Sequence, residues 1–187
     1  CCFYFPASVD KAVDPELQQL IEHNTVITTG GFFIPAGTVH AICKGCYIAE
    51  IQQTSDITYR IYDYDRRDKN GNPRELHTEL ATDVINFCEQ KQHSIHYHQH
   101  ENHTEELVSC NYFTTNYLKF DKEVEKDYIE LDSFVIYMCL EGNFTLVYDV
   151  DKTVKVNKGE TILVPAILKN LFLIPETEAE ILEIYIR

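Results

Sequence analysis

The sequence predicts an all-β protein of sandwich or jelly-roll type, and three observations support this. Short segments rich in β-branched and aromatic residues recur along the 187 residues, and turn signals separate them at close intervals. Only two segments carry apolar residues at helical spacing. The hydrophobic fraction of 44% is that of a folded chain, and seven Gly with six Pro are too few for low-complexity sequence. Many short strands with few helices are typical of sandwiches and jelly-roll barrels.

The first half of the chain is predicted to contain two helices and three strands. A helix is expected at residues 14–24, because Asp14 is a capping residue and Pro15 suits the first helical position. Strands are predicted at residues 32–34, 47–52 and 57–64. A second helix is predicted at residues 75–87, where the apolar residues that share one face are Leu76, Leu80, Val84 and Phe87.

The second half is predicted to contain strands alone, and a polar segment separates it from the first. The strands are expected at residues 110–120, 134–140, 144–148, 153–156, 161–164, 170–174 and 181–186. Residues 89–106 contain five of the eight His and almost no aliphatic residues. We therefore expect a first lobe at residues 1–88, a His-rich linker at 89–106 and a second lobe at 107–187.

Composition narrows the classes of partner and the compartment. Sixteen Lys and Arg against thirty Asp and Glu give a net charge of −14, which disfavours nucleic acid and anionic membranes. No apolar run approaches the roughly 20 residues that cross a bilayer. A small anionic ligand remains compatible, because one or two Arg or Lys can dominate a pocket locally. Seven Cys, an odd number, argue against a disulfide framework and favour a reducing cytoplasm.

Two motifs have both a chemical and a structural interpretation. Cys43 and Cys46 form a CxxC motif, which suits zinc or thiol redox chemistry, but two small apolar residues around a Lys-Gly turn are the more common case. His96, His98 and His100 alternate and would point the same way in an extended chain, as in a metal-binding tract. Because this tract lacks Cys or acidic ligands at suitable spacing, we favour a linker without a structured metal site.

The two lobes share a repeated segment. Residues 30–40, Gly-Gly-Phe-Phe-Ile-Pro-Ala-Gly-Thr-Val-His, are similar to residues 159–169, Gly-Glu-Thr-Ile-Leu-Val-Pro-Ala-Ile-Leu-Lys. Each has a turn glycine, an apolar strand, and Pro-Ala at the end of the strand. After that turn the first copy presents His40, whereas the second continues with Lys169 and Asn170. Such divergence suggests duplicated lobes of which one kept a site.

Three polar residues near the first copy are candidates for a site. His40 follows an apolar strand and a Pro-Ala-Gly turn, which could aim its ring into a barrel; the alternative is a rim histidine with one hydrogen bond. Glu50 alternates with apolar neighbours in a strand, where desolvation would suit proton transfer; the alternative is a surface glutamate. Arg60 could stabilise an anion, or pair with Asp63 or Asp65.

The segment Ile34-Pro35-Ala36-Gly37-Thr38-Val39-His40 resembles the second conserved motif of the cupin superfamily, a small jelly-roll barrel. Its continuation is similar to type I mannose-6-phosphate isomerases of the short bacterial form, on residues 50–60 (Glu-Ile-Gln-Gln-Thr-Ser-Asp-Ile-Thr-Tyr-Arg), 62–66, 74–78 and 112–116. The resemblance runs from about residue 31 to the last residue. It implies a double cupin that lacks metal ligands in its second barrel.

The resemblance implies an enzyme that interconverts mannose 6-phosphate and fructose 6-phosphate with the help of one zinc ion. By this resemblance His40 is a metal ligand, Glu50 an acid or base, and Arg60 a catalytic cation. Arg66 is a weaker candidate for binding the substrate, since a solvated charged turn would equally explain it. The expected partner is a small-molecule sugar phosphate.

The resemblance also leaves a gap at the zinc site. The family's first half carries a Gln-x-His pair and a Glu that bind zinc, and no counterpart precedes residue 31. The chain is therefore expected to be the C-terminal portion of a longer protein, with an incomplete first barrel and too few ligands to be active alone. The alternative is a degenerate, non-catalytic double cupin that binds a sugar or regulates a partner. Unpaired strand edges of an incomplete barrel would favour a homodimer.

Overall fold

The computed structural model describes residues 2–9, 30–42, 46–55, 57–87 and 94–187. The helix expected at residues 14–24 and most of the CxxC motif lie outside these residues. The described part contains one helix, α1 (Thr78–Val84), and eleven strands, which are β1 (Cys2–Val9), β2 (Gly30–Ile34), β3 (Cys46–Gln52), β4 (Ser94–His96), β5 (Thr104–Ser109), β6 (Thr114–Phe120), β7 (Val124–Asp127), β8 (Val135–Asp149), β9 (Lys152–Asn157), β10 (Thr161–Val164) and β11 (Asn170–Tyr185). The all-β prediction is confirmed.

Four strands form a small antiparallel sheet in the order β3-β1-β2-β4. The sequence predicts strands at the positions of β2 and β3 but none at the position of β1. Proline lacks the N–H that a sheet needs, so Pro6 argues against a central strand. The structure accommodates it where the register between β1 and β3 shifts, between Pro6 and Ser8. Strand β4 lies within the segment expected to be the linker.

Seven strands form the larger antiparallel sheet, in the order β10-β8-β11-β6-β5, with β7 beside β11 and β9 beside β8. Its two longest strands each combine two predicted strands. In β8 they join at Gly142, whose φ of 70° suits glycine. A Cβ at this position would collide with the carbonyl oxygen of Glu178 on β11. The turn expected between the two predicted strands is thus a local irregularity within one long strand.

Two hydrophobic clusters hold these sheets together. The first fills the second lobe and includes Leu118, Phe120 and Phe144, none of which is exposed. The second cluster contains Ala49 and Ile51 of β3, Phe113 of the turn before β6, and six residues of the larger sheet, which are Leu107, Val108, Tyr117, Leu140, Leu182 and Ile184. One face of β3 therefore packs against the larger sheet, which leaves its opposite face for other contacts.

The strand predicted at residues 57–64 is wrong, whereas the helix predicted at residues 75–87 is confirmed in its central part. Residues 57–64 form an irregular loop instead of a strand, with Tyr64 and Asp65 at φ values of 51° and 53° that a strand does not allow. Helix α1 (Thr78–Val84) is shorter than the predicted range, and its buried residue is Ala81, whereas Leu80 and Val84 on the shared apolar face are exposed. Within the described residues, no helix combines the length and hydropathy needed to cross a membrane.

Candidate active site

A cleft of about 620 Å³ lies beside the small sheet. Its walls are the turn after β2, the outer face of β3, the loop at residues 57–62 and the C-terminal end of α1. His40, Glu50 and Arg60 all line it. The three residues that the sequence singled out therefore share one cavity, although ten or more residues separate each from the next.

His40 reaches the cleft through a tight turn. Strand β2 ends at Ile34, and the backbone N–H of Thr38 donates to the carbonyl of Pro35 at 3.3 Å. The His40 Nδ1 lies 2.8 Å from the carbonyl oxygen of Thr38 and must donate to it. In the neutral ring this bond leaves Nε2 unprotonated, which is the form in which imidazole binds metals.

Gly37 ties this turn to the end of the helix. Its φ is 84°, and its carbonyl accepts a hydrogen bond from the backbone N–H of Asn86 at 2.9 Å. A Cβ at this position would lie 2.6 Å from the carbonyl oxygen of Val84, closer than real contacts allow. Only glycine fits this position, so the turn that carries His40 depends on it.

Glu50 lies on the face of β3 that points away from the hydrophobic cluster. Ala49 and Ile51, its neighbours in sequence, are buried against the larger sheet, whereas Glu50 and Gln52 line the cleft. The alternation predicted from the sequence is confirmed. The desolvation expected for Glu50 is wrong, because its side chain is exposed. Gln52 shares the cleft, and the same alternation would have identified it.

Arg60 is held by the segment that precedes helix α1. Its Nη1 donates to the carbonyl of Glu75 at 3.1 Å, and its backbone N–H donates to Nδ1 of His77 at 3.1 Å. The backbone N–H of His77 donates in return to the carbonyl of Arg60 at 2.7 Å. The Arg60 side chain is about one-fifth exposed, and its Nε lies 3.8 Å from Oδ1 of Asp63. Tertiary contacts, and not a strand, therefore place Arg60 in the cleft.

Arg66 lies outside the cleft lining. It is exposed, and its guanidinium carbon lies 5.5 Å from the centre of the Tyr64 ring, a cation–π distance. Its role in substrate binding stays a prediction. Asp63, Glu75 and His77 contact Arg60 from outside the cleft lining. Asp63 is one of the two partners that the sequence suggests for Arg60, whereas nothing in the sequence points to Glu75 and His77, which lie 15 and 17 positions away.

The described residues do not complete a metal site. Nowhere in the part of the chain that the structure describes do three His, Cys, Asp or Glu side chains come together as a metal would require. In the His-rich segment, Nδ1 of His100 lies 2.6 Å from a carboxylate oxygen of Glu105, and the rings of His98 and His100 are 6.3 Å apart. His40 is thus one ligand of suitable chemistry without a described second.

Comparison with known proteins identifies close relatives. YvyI of Bacillus subtilis is 36% identical over 139 residues, which are 72% of this chain and 42% of the relative. The mannose-6-phosphate isomerase ManA of the same organism is 34% identical over 152 residues, 80% of this chain and 47% of the relative. The chain therefore spans less than half the length of these two relatives. No family model matches the chain.

The fold agrees with these sequence relatives. The crystal structure of the mannose 6-phosphate isomerase from Bacillus subtilis superposes with a TM-score of 0.76 at 27% identity, over 99% of this chain and 64% of that one. Such isomerases are in general metal-dependent. On sequence and on its all-β cupin fold, the chain belongs to the mannose-6-phosphate isomerase family.

Proposed function

We propose that the protein interconverts mannose 6-phosphate and fructose 6-phosphate, with the chemistry carried out in the cleft beside the small sheet. The observation that carries the proposal is the convergence of His40, Glu50 and Arg60 on that cleft. The relatives named as mannose-6-phosphate isomerases add the substrate and the reaction.

The proposed reaction moves a hydrogen between C1 and C2 of the sugar. A base removes the proton from C2 of the aldose, the electron pair forms an enediolate, and the proton is returned to C1 to give the ketose. Glu50 is the carboxylate in the cleft best placed for this proton transfer, since β3 fixes its backbone and its side chain faces the open cavity. The same group can take the proton from C2 and return it to C1. The hydroxyl proton of O2 passes to O1 as the C2 carbonyl forms, so atoms and charge balance without another reactant.

Arg60 is proposed to stabilise the negative charge that develops on the enediolate oxygen. Arginine stays protonated and presents several N–H donors in a plane, which suits an oxyanion. Its guanidinium is already oriented by the carbonyl of Glu75 and by Asp63. A donor held in place before the reaction stabilises a transition state more than a mobile one.

His40 is proposed to contribute one ligand to a zinc ion, in line with its Nδ1–H bond to the Thr38 carbonyl. Because the described residues do not complete that site, the catalytic steps above are derived from Glu50 and Arg60 alone. Removing His40 should lower the zinc content of the purified protein. This outcome is independent of activity.

Local charge favours an anionic substrate despite the net charge of −14. Residues 57–75 contain five Lys or Arg and four Asp or Glu, so this segment carries a net charge of about +1. Arg60 belongs to this segment and lines the cleft. Among the described residues that line the cleft, the charges of Arg60 and Glu50 cancel, so a sugar phosphate would meet less repulsion there than the net charge of the chain suggests.

The test is a coupled assay of the full-length natural protein, supplied with zinc, that follows formation of fructose 6-phosphate from mannose 6-phosphate. We expect Arg60→Gln to lower kcat/KM by about 100–1,000-fold, as loss of one oxyanion donor does elsewhere. Glu50→Gln should lower kcat by at least about 100-fold, since general acid–base catalysis contributes about that much or more.

Matched controls come from residues outside the cleft lining. Arg187→Gln and Glu106→Gln make the same changes at an exposed ion pair 2.8 Å long, and they should leave kcat/KM within about twofold. An inactive but folded, zinc-replete wild-type protein would contradict the proposal. A stable protein without stoichiometric zinc would favour the alternative, a non-catalytic binding module. The cytoplasmic location and the homodimer stay predictions, the latter tested by sedimentation.

A further inference from the structure

Asp63 is a largely buried carboxylate between two arginines. Its side chain is 12% exposed, and its Oδ1 lies 3.8 Å from Nε of Arg60 and 3.4 Å from Nη1 of Arg74. Its other oxygen, Oδ2, is buried and accepts no hydrogen bond within the part of the chain that the structure describes. Burying a carboxylate is unfavourable unless cations compensate it, and here the two guanidinium groups do so.

Two of the three guanidinium nitrogens of Arg60, Nε and Nη1, have partners within the protein. Asp63 lies against Nε, and the carbonyl of Glu75 accepts from Nη1. A hydrogen bond at one corner and an ion pair at another constrain both the position and the tilt of the planar group. Among the described residues, Nη2 of Arg60 has no hydrogen-bond partner, so its donors remain for a ligand in the cleft.

We propose that Asp63 is a positioning residue, which orients the guanidinium of Arg60 so that its open donors meet the oxygen of the developing enediolate. This inference rests on the proposed isomerase function. Asp63 does not line the cleft and acts only through Arg60. Arg74 is the second cation paired with Asp63, and its side chain is about half exposed. It is not needed to orient Arg60.

The direct test is Asp63→Asn in the full-length, zinc-replete protein. Asparagine keeps the size of the side chain but loses the charge that holds Nε. We expect kcat to fall about tenfold or more with KM within about twofold, because a misplaced donor affects the transition state more than substrate binding. Asp63→Glu should recover part of the loss. Asp65→Asn makes the same change in the same loop at an exposed residue and should change kcat by less than twofold.

A double-mutant cycle separates positioning from a general effect on the loop. In an Arg60→Lys background, Asp63→Asn should change kcat by less than about twofold, because the group that it positions is already gone. If the two substitutions instead reduce kcat multiplicatively, Asp63 acts independently of Arg60 and the inference is wrong. Arg74→Gln should leave kcat within about threefold.

The outcomes distinguish this inference from the function on which it rests. An inactive wild-type protein overturns both. An active wild type whose kcat is unchanged by Asp63→Asn overturns the positioning role alone. A readout without catalysis supports the pairing: phenylglyoxal should modify Arg60 faster in Asp63→Asn than in wild type, as mapped by peptide mass spectrometry, whereas modification of Arg187 should stay the same.

Discussion

The two copies of the strand and Pro-Ala turn have the same local hydrogen bond, but the residues that follow the turn lie in different surroundings. In each, the backbone N–H three residues after the proline donates to the proline carbonyl, at 3.3 Å for Thr38 and at 3.0 Å for Leu168. The first copy then presents His40 to an open cleft. In the second copy, Lys169 is bound by the segment around residues 128–131. Its carbonyl accepts a hydrogen bond from the backbone N–H of Tyr128, and its Nζ donates to the carbonyl of Leu131, both at 2.7 Å.

The interior of the second lobe is closed by a buried polar network. The carboxylate of Glu183 accepts hydrogen bonds from Asn116 at 2.8 Å and from the hydroxyl of Tyr128, and it pairs with Lys126 at 3.0 Å. Tyr137 joins through a hydroxyl contact with Tyr128. These four side chains bond to Glu183 or to one another in the interior of the lobe, whereas His40, Glu50 and Arg60 line an open cleft. The two copies of the motif therefore differ in that only the first one borders an open cleft.

The largest expected effect on this difference between the two copies is that of Lys126→Met. Removing the cation leaves the carboxylate of Glu183 buried without its ion-pair partner, so the free energy of unfolding should fall by about 3–5 kcal/mol. His40→Gln, at an exposed position, should change it by less than about 0.5 kcal/mol. Denaturant unfolding of both variants measures the difference.

A second substitution checks that interpretation. Combining Lys126→Met with Glu183→Gln removes both charges and should recover part of the lost stability. Equal destabilisation by Lys126→Met and by His40→Gln would mean that the two lobes do not differ in the way described.

The next largest effect compares a glycine in each copy. Gly37 and Gly159 have φ values of 84° and 82°, but only Gly37 is crowded, since nothing lies within 4 Å of a Cβ built at Gly159. Gly159→Ala should therefore cost about 1 kcal/mol of backbone strain, and Gly37→Ala about 2–3 kcal/mol. Gly37→Ala should also lower kcat/KM, because the displaced turn carries His40. Thermal unfolding and the coupled assay test this, and equal costs at both positions would contradict the crowding argument.

The sequence singles out three residues that share one cleft, but it predicts the elements around them less well. Strand alternation was enough to put Glu50 on the open face of β3, because one face of a strand packed on a core must point outward. The prediction of a strand at residues 57–64 is wrong, although Ile, Thr and Tyr favour a strand there locally. There the bonds from Arg60 to Glu75 and His77 decide the conformation. Contacts between residues far apart in sequence leave no periodic signal, so Asp63 could be seen only as one of two acids near Arg60.

The smallest predicted effect is the acid sensitivity of the closed lobe. Burial alone would raise the pKa of Glu183, but Lys126, Tyr128 and Asn116 stabilise the charged form and hold the pKa below its usual value of 4.5. Because the folded-state pKa is the lower one, this stabilisation is present above about pH 4.5 and is lost as the pH falls below it. One group contributes a slope of at most about 1.4 kcal/mol per pH unit.

Unfolding free energies between pH 6 and pH 3 measure this slope, and Glu183→Gln is the control that should flatten it, since an amide does not titrate. Glu106→Gln removes an exposed carboxylate of the same kind, which pairs with Arg187 at the surface, and should leave the slope nearly unchanged. An unchanged slope in Glu183→Gln would mean that the network binds its proton equally well folded and unfolded. Hydrophobic packing alone would then stabilise the interior of the second lobe, and the charge of Glu183 would not distinguish that interior from the cleft.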